Sequence, residues 1–151
     1  MLKNILICSI FFFIISIANA KQIKITSDKL EIDRTDNISI FSGKVYALED
    51  NLEIWSEKLI VTSSEDEKKI KEIIAYGNVE ILREELSING NEAKYDPKKN
   101  KLVVFGEVKV IQNKNIVLCD KIVVDLENSS SIMSSDTTSR VEALIISENE
   151  N

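Results

Sequence analysis

From Ile23 onward apolar and polar residues alternate in short runs, and the phase of the alternation slips by one at regular places. Four runs superpose: "IKITSDKLEID" from Ile23, "LEIWSEKLIVT" from Leu52, "LSINGNEAKYD" from Leu86 and "NIVLCDKIVVD" from Asn115. Aligned on Ser27, Ser56, Gly90 and Cys119, they lie 29, 34 and 29 residues apart. A recurring period means one structural unit stacked on itself. Four residues before the alignment position stand Ile23, Leu52, Leu86 and Asn115; two before stand Ile25, Ile54, Ile88 and Val117. Three after it come Leu30, Leu59, Ala93 and Ile122, and five after come Ile32, Val61, Tyr95 and Val124. Asn115 is the one polar residue in these columns. A period of two marks a β-strand with one buried face. The slip at the alignment residue would turn that face outward unless a bulge or bend restores it.

A second phrase follows each run. Gly43 heads "GKVYA", Gly77 heads "GNVEI" and Gly106 heads "GEVKV". Val45, Val79 and Val108 come two residues on; Ala47, Ile81 and Val110 come four on. In the last unit Ser139 takes the glycine place, with Val141 and Ala143 in step. From each glycine to Leu52, Leu86 or Asn115 is nine residues. Glycines inside strand patterns mark bulges or bends.

Each unit therefore contributes two bent β segments, and four units give about sixteen short strands in an all-β stack. The stack is two facing sheets, or one sheet folded over, around an apolar interior. Candidate inward positions are Ile25, Leu30, Ile32, Leu52, Ile54, Leu59, Val61, Val79 and Ile81, followed by Leu86, Ile88, Tyr95, Val108, Val110, Val117, Ile122 and Val124. Length varies only in "SSEDEKKIKE" (63–72) and "ENSSSIMSSDTTS" (127–139), which read as long hairpin loops. The stack has two open edges, at Ile23 and Ile25 and at Val141 and Ala143, and open edges invite strand addition.

The first twenty residues follow another pattern. Lys3 is their only charge, "ILICSIFFFIISI" runs from Ile5 to Ile17, and "ANA" ends at Ala20. These are the features of a cleaved secretory signal peptide over 1–20, leaving 21–151 as one exported β domain. Removing Lys3 from the 19 basic residues leaves 18 against 25 acidic ones, a net charge of −7. That balance argues against nucleic acid, which demands a basic face. The absence of histidine removes imidazole bases and the commonest zinc ligand, and a single cysteine in 21–151 forms no internal disulfide. No cofactor or metal is expected.

The ordered set "ITSDKLEID", "FSGKVYA", "AYGNVEI", "NGNEAKYD", "FGEVKV" and "CDKIVVDL" resembles the OstA-like, or LptA, family of periplasmic lipopolysaccharide-transport proteins. The resemblance extends from about Ile25 to Ile146. It implies an open, twisted β-jelly roll (a β-taco) whose apolar trough shelters the acyl chains of lipid A. It also implies an inner-membrane LptC-like partner at the N-terminal edge and the N-terminal domain of an outer-membrane LptD-like translocon at the C-terminal edge. Head-to-tail self-association would use the same edges. Cys119, where the family usually has glycine, and the short C-terminal tail depart from its pattern.

Alternation alone fits a lined trough and a filled sandwich equally. Three other functions fit the residues. A retained N-terminal segment would make the chain an inner-membrane-anchored component of the same pathway. A ligand-free structural solenoid needs no trough. A polysaccharide-acting enzyme would draw on Asp33, Asp96 and Asp125, which share one repeat position; in the simpler reading those aspartates end strands and start turns.

Overall fold

The computed structural model describes residues 22–66, 68–136 and 138–147. The signal-peptide assignment and Lys21 lie outside these residues. Among the described residues no helix is long and apolar enough to cross a membrane.

Among the described residues ten antiparallel strands form one sheet. They are β1 (Ile23–Thr26), β2 (Lys29–Asp33), β3 (Ile38–Glu49), β4 (Leu52–Ser63), β5 (Ile70–Arg83), β6 (Leu86–Asp96), β7 (Lys101–Gln112), β8 (Asn115–Asp125), β9 (Ser130–Ser134) and β10 (Glu142–Leu144). Strands β3 to β8 follow one another as a meander. At one end β1 and β2 both pair with β3; at the other β9 and β10 both pair with β8.

The register breaks part-way along every long pairing, at Ser42/Val45, Trp55/Lys58, Tyr76/Val79, Asn89/Glu92 and Phe105/Val108; β4 and β5 shift once more near their ends, at Thr62/Ser63. The part-way breaks align into a crease across the sheet. At Gly77 and Asn78 two consecutive residues take left-handed φ values of 78° and 44°, and the Gly43–Lys44 and Gly106–Glu107 pairs do the same. A side chain at the first of each pair would be sterically costly, which explains the repeated glycine. The six long strands cross the crease and the four short ones stop at it. Each of the two resulting walls thus holds eight segments, which are the sixteen short strands of the repeat.

The crease is also why the phase slip is harmless. Bulge residues restore the inward face, and inward rows run unbroken across each wall. One wall carries the row Ile25, Ala47, Ile54, Ile81, Ile88, Val110, Val117 and Ala143. The other carries Leu30, Phe41, Leu59, Ala75, Ala93, Val104, Ile122 and Met133. Ser139 does occupy the glycine place of the last unit: its hydroxyl contacts Asp120, as Gly43 lies against Asp28 and Gly77 against Glu57. Asn115, the polar exception, accepts a hydrogen bond from the Ile146 amide at 3.0 Å and so extends the pairing beyond β10.

Both expected long loops are shorter than expected. Ile70 to Glu72 belong to β5, because Ile70 packs on the core. Ser130 to Ser134 form β9, because Met133 packs there too. Val141 lies one residue before β10 and is outside the ladder.

Candidate ligand interior and its mouth

The two inward surfaces meet and bury each other. Leu59, Ile81, Ile88, Leu102, Ile122 and Val104 are each at most 2 % exposed. Val45, Val79 and Val108 line the crease, where Gly90 comes so near Val104 that a Cβ on it would sit 2.5 Å from Cγ1. A void lined by Ile23, Ala47, Leu52, Ile54, Ile73 and Tyr95, with Glu49 at its edge, measures about 10 Å³, hardly room for one water. The interior is therefore filled by its own side chains in this conformation.

Of the candidate inward residues, Leu52, Ile54, Leu59, Val61, Val79, Ile81, Ile88, Tyr95, Val108, Val110, Ile122 and Val124 are buried. Ile25, Leu86 and Val117 are partly buried against them. Leu30 and Ile32 are not enclosed: they are 49 % and 61 % exposed. Their phase is inward, since Leu30 pairs with Phe41 and Ile32 with Ser39. They belong to the edge strand β2, which among the described residues has no neighbour on its outer side to cover them. Ile23 is partly buried on the opposite wall of that edge, while Val141 and Ala143 are exposed at the other edge.

Sequence reasoning missed half of one wall. Phe41, Ile73, Ala75, Leu102 and Val104 are inward as well. They lie two and four residues before the repeat glycines, so the same period of two contained them. It also missed the mouth, on the side away from the crease. There the inward row reads Ile23, Glu49, Leu52, Arg83, Leu86, Gln112 and Asn115. Glu49 and Arg83 are charged residues in inward phase, six residues after Gly43 and Gly77.

Polar ties cross the mouth from wall to wall. Arg83 Nη1 donates to the Leu126 carbonyl at 3.0 Å. The Glu49 carboxylate, 7 % exposed, faces Tyr95. Burial, and next the Glu49 charge, push the Tyr95 phenol well above its ordinary value, which keeps it protonated. A small cavity of about 60 Å³ lies among Glu49, Leu52, Arg83, Tyr95 and Leu126. Beside it a larger one, about 350 Å³, is lined by Arg83, Glu84, Glu85, Leu86, Gln112, Val124 and Ser129 to Ser131.

The repeated aspartates close turns. Asp33 Oδ1 accepts from the Thr35 amide at 2.8 Å, Asp96 from Lys98 at 3.0 Å, and Asp125 from Asn128 at 3.0 Å. Backbone N–H groups, foremost those of Lys99 and Asn128, hold the Asp96 and Asp125 carboxyls below the ordinary range. This is the behaviour of strand-ending turn residues, and it removes the observation that suggested a carboxylate enzyme. Cys119 is buried at the crease; burial pushes its thiol up, away from a reactive thiolate.

The family model for "LptA/(LptD N-terminal domain) LPS transport protein" matches residues 24–130, which span β1 through the start of β9. The chain belongs to this family. Its family and fold are those of a transport protein. No curated protein matches the sequence. Among solved structures the chain is similar to LptH from Pseudomonas aeruginosa. That protein is described as the LptA-homologous periplasmic component of the conserved lipopolysaccharide transport device. The TM-score is 0.76 with 18 % identity, over 84 % of this chain and 96 % of that one. At that identity the likeness establishes the fold, an LptA-like β-jelly roll.

Proposed function

We propose that the chain is a periplasmic carrier of lipopolysaccharide, exported by cleavage after Ala20, which holds lipid A acyl chains between its two walls. The observation that carries this reading is the set of unbroken inward apolar rows on a sheet folded at its crease, with both ends of the stack open. An acyl chain placed there trades wall-to-wall apolar contact for wall-to-lipid contact. Parting the walls then leaves little apolar surface in water, while the lipid gains roughly 0.8 kcal/mol per methylene sheltered.

The edges supply the bridging half of the proposal. Each wall has eight segments joined by antiparallel pairings, so its first and last segments run in opposite directions. A second jelly roll added end-on continues the antiparallel order in both walls at once. In this reading β1 and β2 receive an inner-membrane LptC-like protein, and β9 and β10 receive the N-terminal domain of an outer-membrane LptD-like protein. Another copy of the chain can fill either place.

Photo-reactive side chains test the carrier. Placed at Ile54, Leu59, Ile88 or Ile122 they should capture lipopolysaccharide, while at Glu53 or Lys58, which face outward, they should not. Equal capture from both sets rejects the reading. Intact mass of the exported protein separates it from the anchored alternative, since a soluble carrier starts at Lys21.

A further inference from the structure

The mouth concentrates charge at the edge of an apolar interior. Arg83 projects from the end of β5 into the polar mouth row, lines the small cavity together with the buried Glu49, and reaches the opposite wall, where its Nη1 donates to the Leu126 carbonyl. A guanidinium has five donors in a planar fork that matches a phosphate through two parallel bonds. The Leu126 carbonyl takes one of these donors. The adjacent cavity of about 350 Å³ adds other donors, the Gln112 amide and the Ser129 to Ser131 hydroxyls, above a floor of Leu86 and Val124. Val124 belongs to the buried core and Leu86 packs on it, so this floor continues into the interior. Glu84 and Glu85 also line the rim. Glu84 accepts from Asn51 Nδ2 at 3.0 Å, on the neighbouring turn.

We infer that Arg83 is a headgroup-reading residue. It fastens the mouth through Leu126 in the empty protein, and on loading it exchanges that carbonyl for a phosphate of an acylated, phosphorylated sugar seated in the adjoining cavity. This rests on the lipid-carrying proposal and adds selectivity and a latch to it. The exchange lets the walls part only when an anionic ligand replaces the bond that held them.

The test measures binding of an acylated diglucosamine bearing phosphates, and of the same molecule after dephosphorylation, to the exported chain and to its Arg83→Gln and Arg83→Lys forms. Circular dichroism first establishes that the variants fold. The wild type should prefer the phosphorylated lipid roughly tenfold, as one charge-assisted contact predicts. Arg83→Gln should lose the preference while still binding the dephosphorylated lipid, and should load it at least as fast because the latch is gone. Arg83→Lys, a point charge without the fork, should fall between, and it serves as the readout if the glutamine form does not fold. A variant that keeps the full preference overturns the inference. A wild type that binds both lipids equally overturns it too, leaving the carrier intact. Binding of neither lipid fails the carrier reading and this one together. Displacement of bound lipid by millimolar inorganic phosphate identifies a free-anion site and overturns the assignment to a lipid.

Discussion

Gly77 lies directly against Glu57 across the crease: a Cβ built on the glycine would meet Glu57 Oε2 at 2.5 Å and Glu57 Cβ at 3.0 Å. The contact joins β5 to β4 where both strands change wall, and Asn78 Nδ2 donates to the same carboxylate. The crease is thus a backbone device, two left-handed residues, held by one polar side chain from the preceding strand. It recurs as Gly43 on Asp28 and Gly106 on Asn91.

Gly77→Ala should therefore cost more than a surface substitution. The left-handed backbone alone disfavours alanine by about 1–2 kcal/mol, and the side-chain conflict adds to it unless Glu57 swings away. Glu57 is exposed and can move, so Gly77→Ala combined with Glu57→Ala should recover part of the loss. Urea denaturation of the two proteins measures this. Equal stability of Gly77→Ala and wild type would show that the crease does not depend on the glycine.

Ile88 is 0 % exposed and sits in the inward row between Ile81 and Val110. Ile88→Ala should destabilise by about 2–5 kcal/mol and Ile88→Val by about 0.5–1.5 kcal/mol, through lost burial and the cavity left behind. Lys58→Ala, on an exposed outward position, should stay within about 0.5 kcal/mol of wild type. Similar losses at the two positions would mean the walls are not packed on each other in solution.

Tyr95 gives the interior an alkaline limit. Its phenol titrates higher in the folded state than the unfolded value of about 10, because it is buried beside Glu49. Above pH ~10 the unfolded chain has released that proton while the folded chain retains it. The unfolded state then binds fewer protons, so stability falls as pH rises. Below pH ~10 the contribution is fully present. Tyr95→Phe should show a shallower decline between pH 9 and 11 in chemical denaturation. Parallel declines in both proteins would place the alkaline sensitivity elsewhere.

Most of the fold could be read in the sequence because a repeat multiplies weak signals. Val79, Val108 and Val45 say little singly, but the same residue two places after three glycines defines a column. What the columns hid was the outer face. Ile40, Ile60, Ile74, Val103 and Val123 share an outward row, interrupted only by Lys94, and are half-buried, so runs such as "LIV" at Leu59 to Val61 are apolar on both faces. Continuous apolar runs blur a period of two. The mouth was illegible for a different reason. Glu49 and Arg83 look like ordinary strand-end charges, and only the folding of one wall onto the other brings them opposite Tyr95 and Leu126. Leu30 and Ile32 had the right phase, but phase does not reveal that their strand ends the sheet.

The end of the stack offers the clearest test of assembly. Ile132 on β9 is 72 % exposed, and Leu144 on β10 is 59 % exposed, so both walls present apolar side chains beside unpaired edge groups. At the opposite end β2 offers Leu30 and Ile32, also exposed, on the inward side. A heterologous contact between such ends does not close on itself and extends into chains of copies. Lysine on an edge strand opposes that pairing, because docking would strip water from its charge. Ile132→Lys with Leu144→Lys should leave the monomer's stability within about 0.5 kcal/mol, both side chains already being in water. It should reduce concentration-dependent self-association, followed by sedimentation velocity. Lipid capture at Ile54 should persist, since that residue lies in the interior, several strands away from this edge. A double variant that sediments like the wild type at every concentration would remove β9 and β10 from the joint.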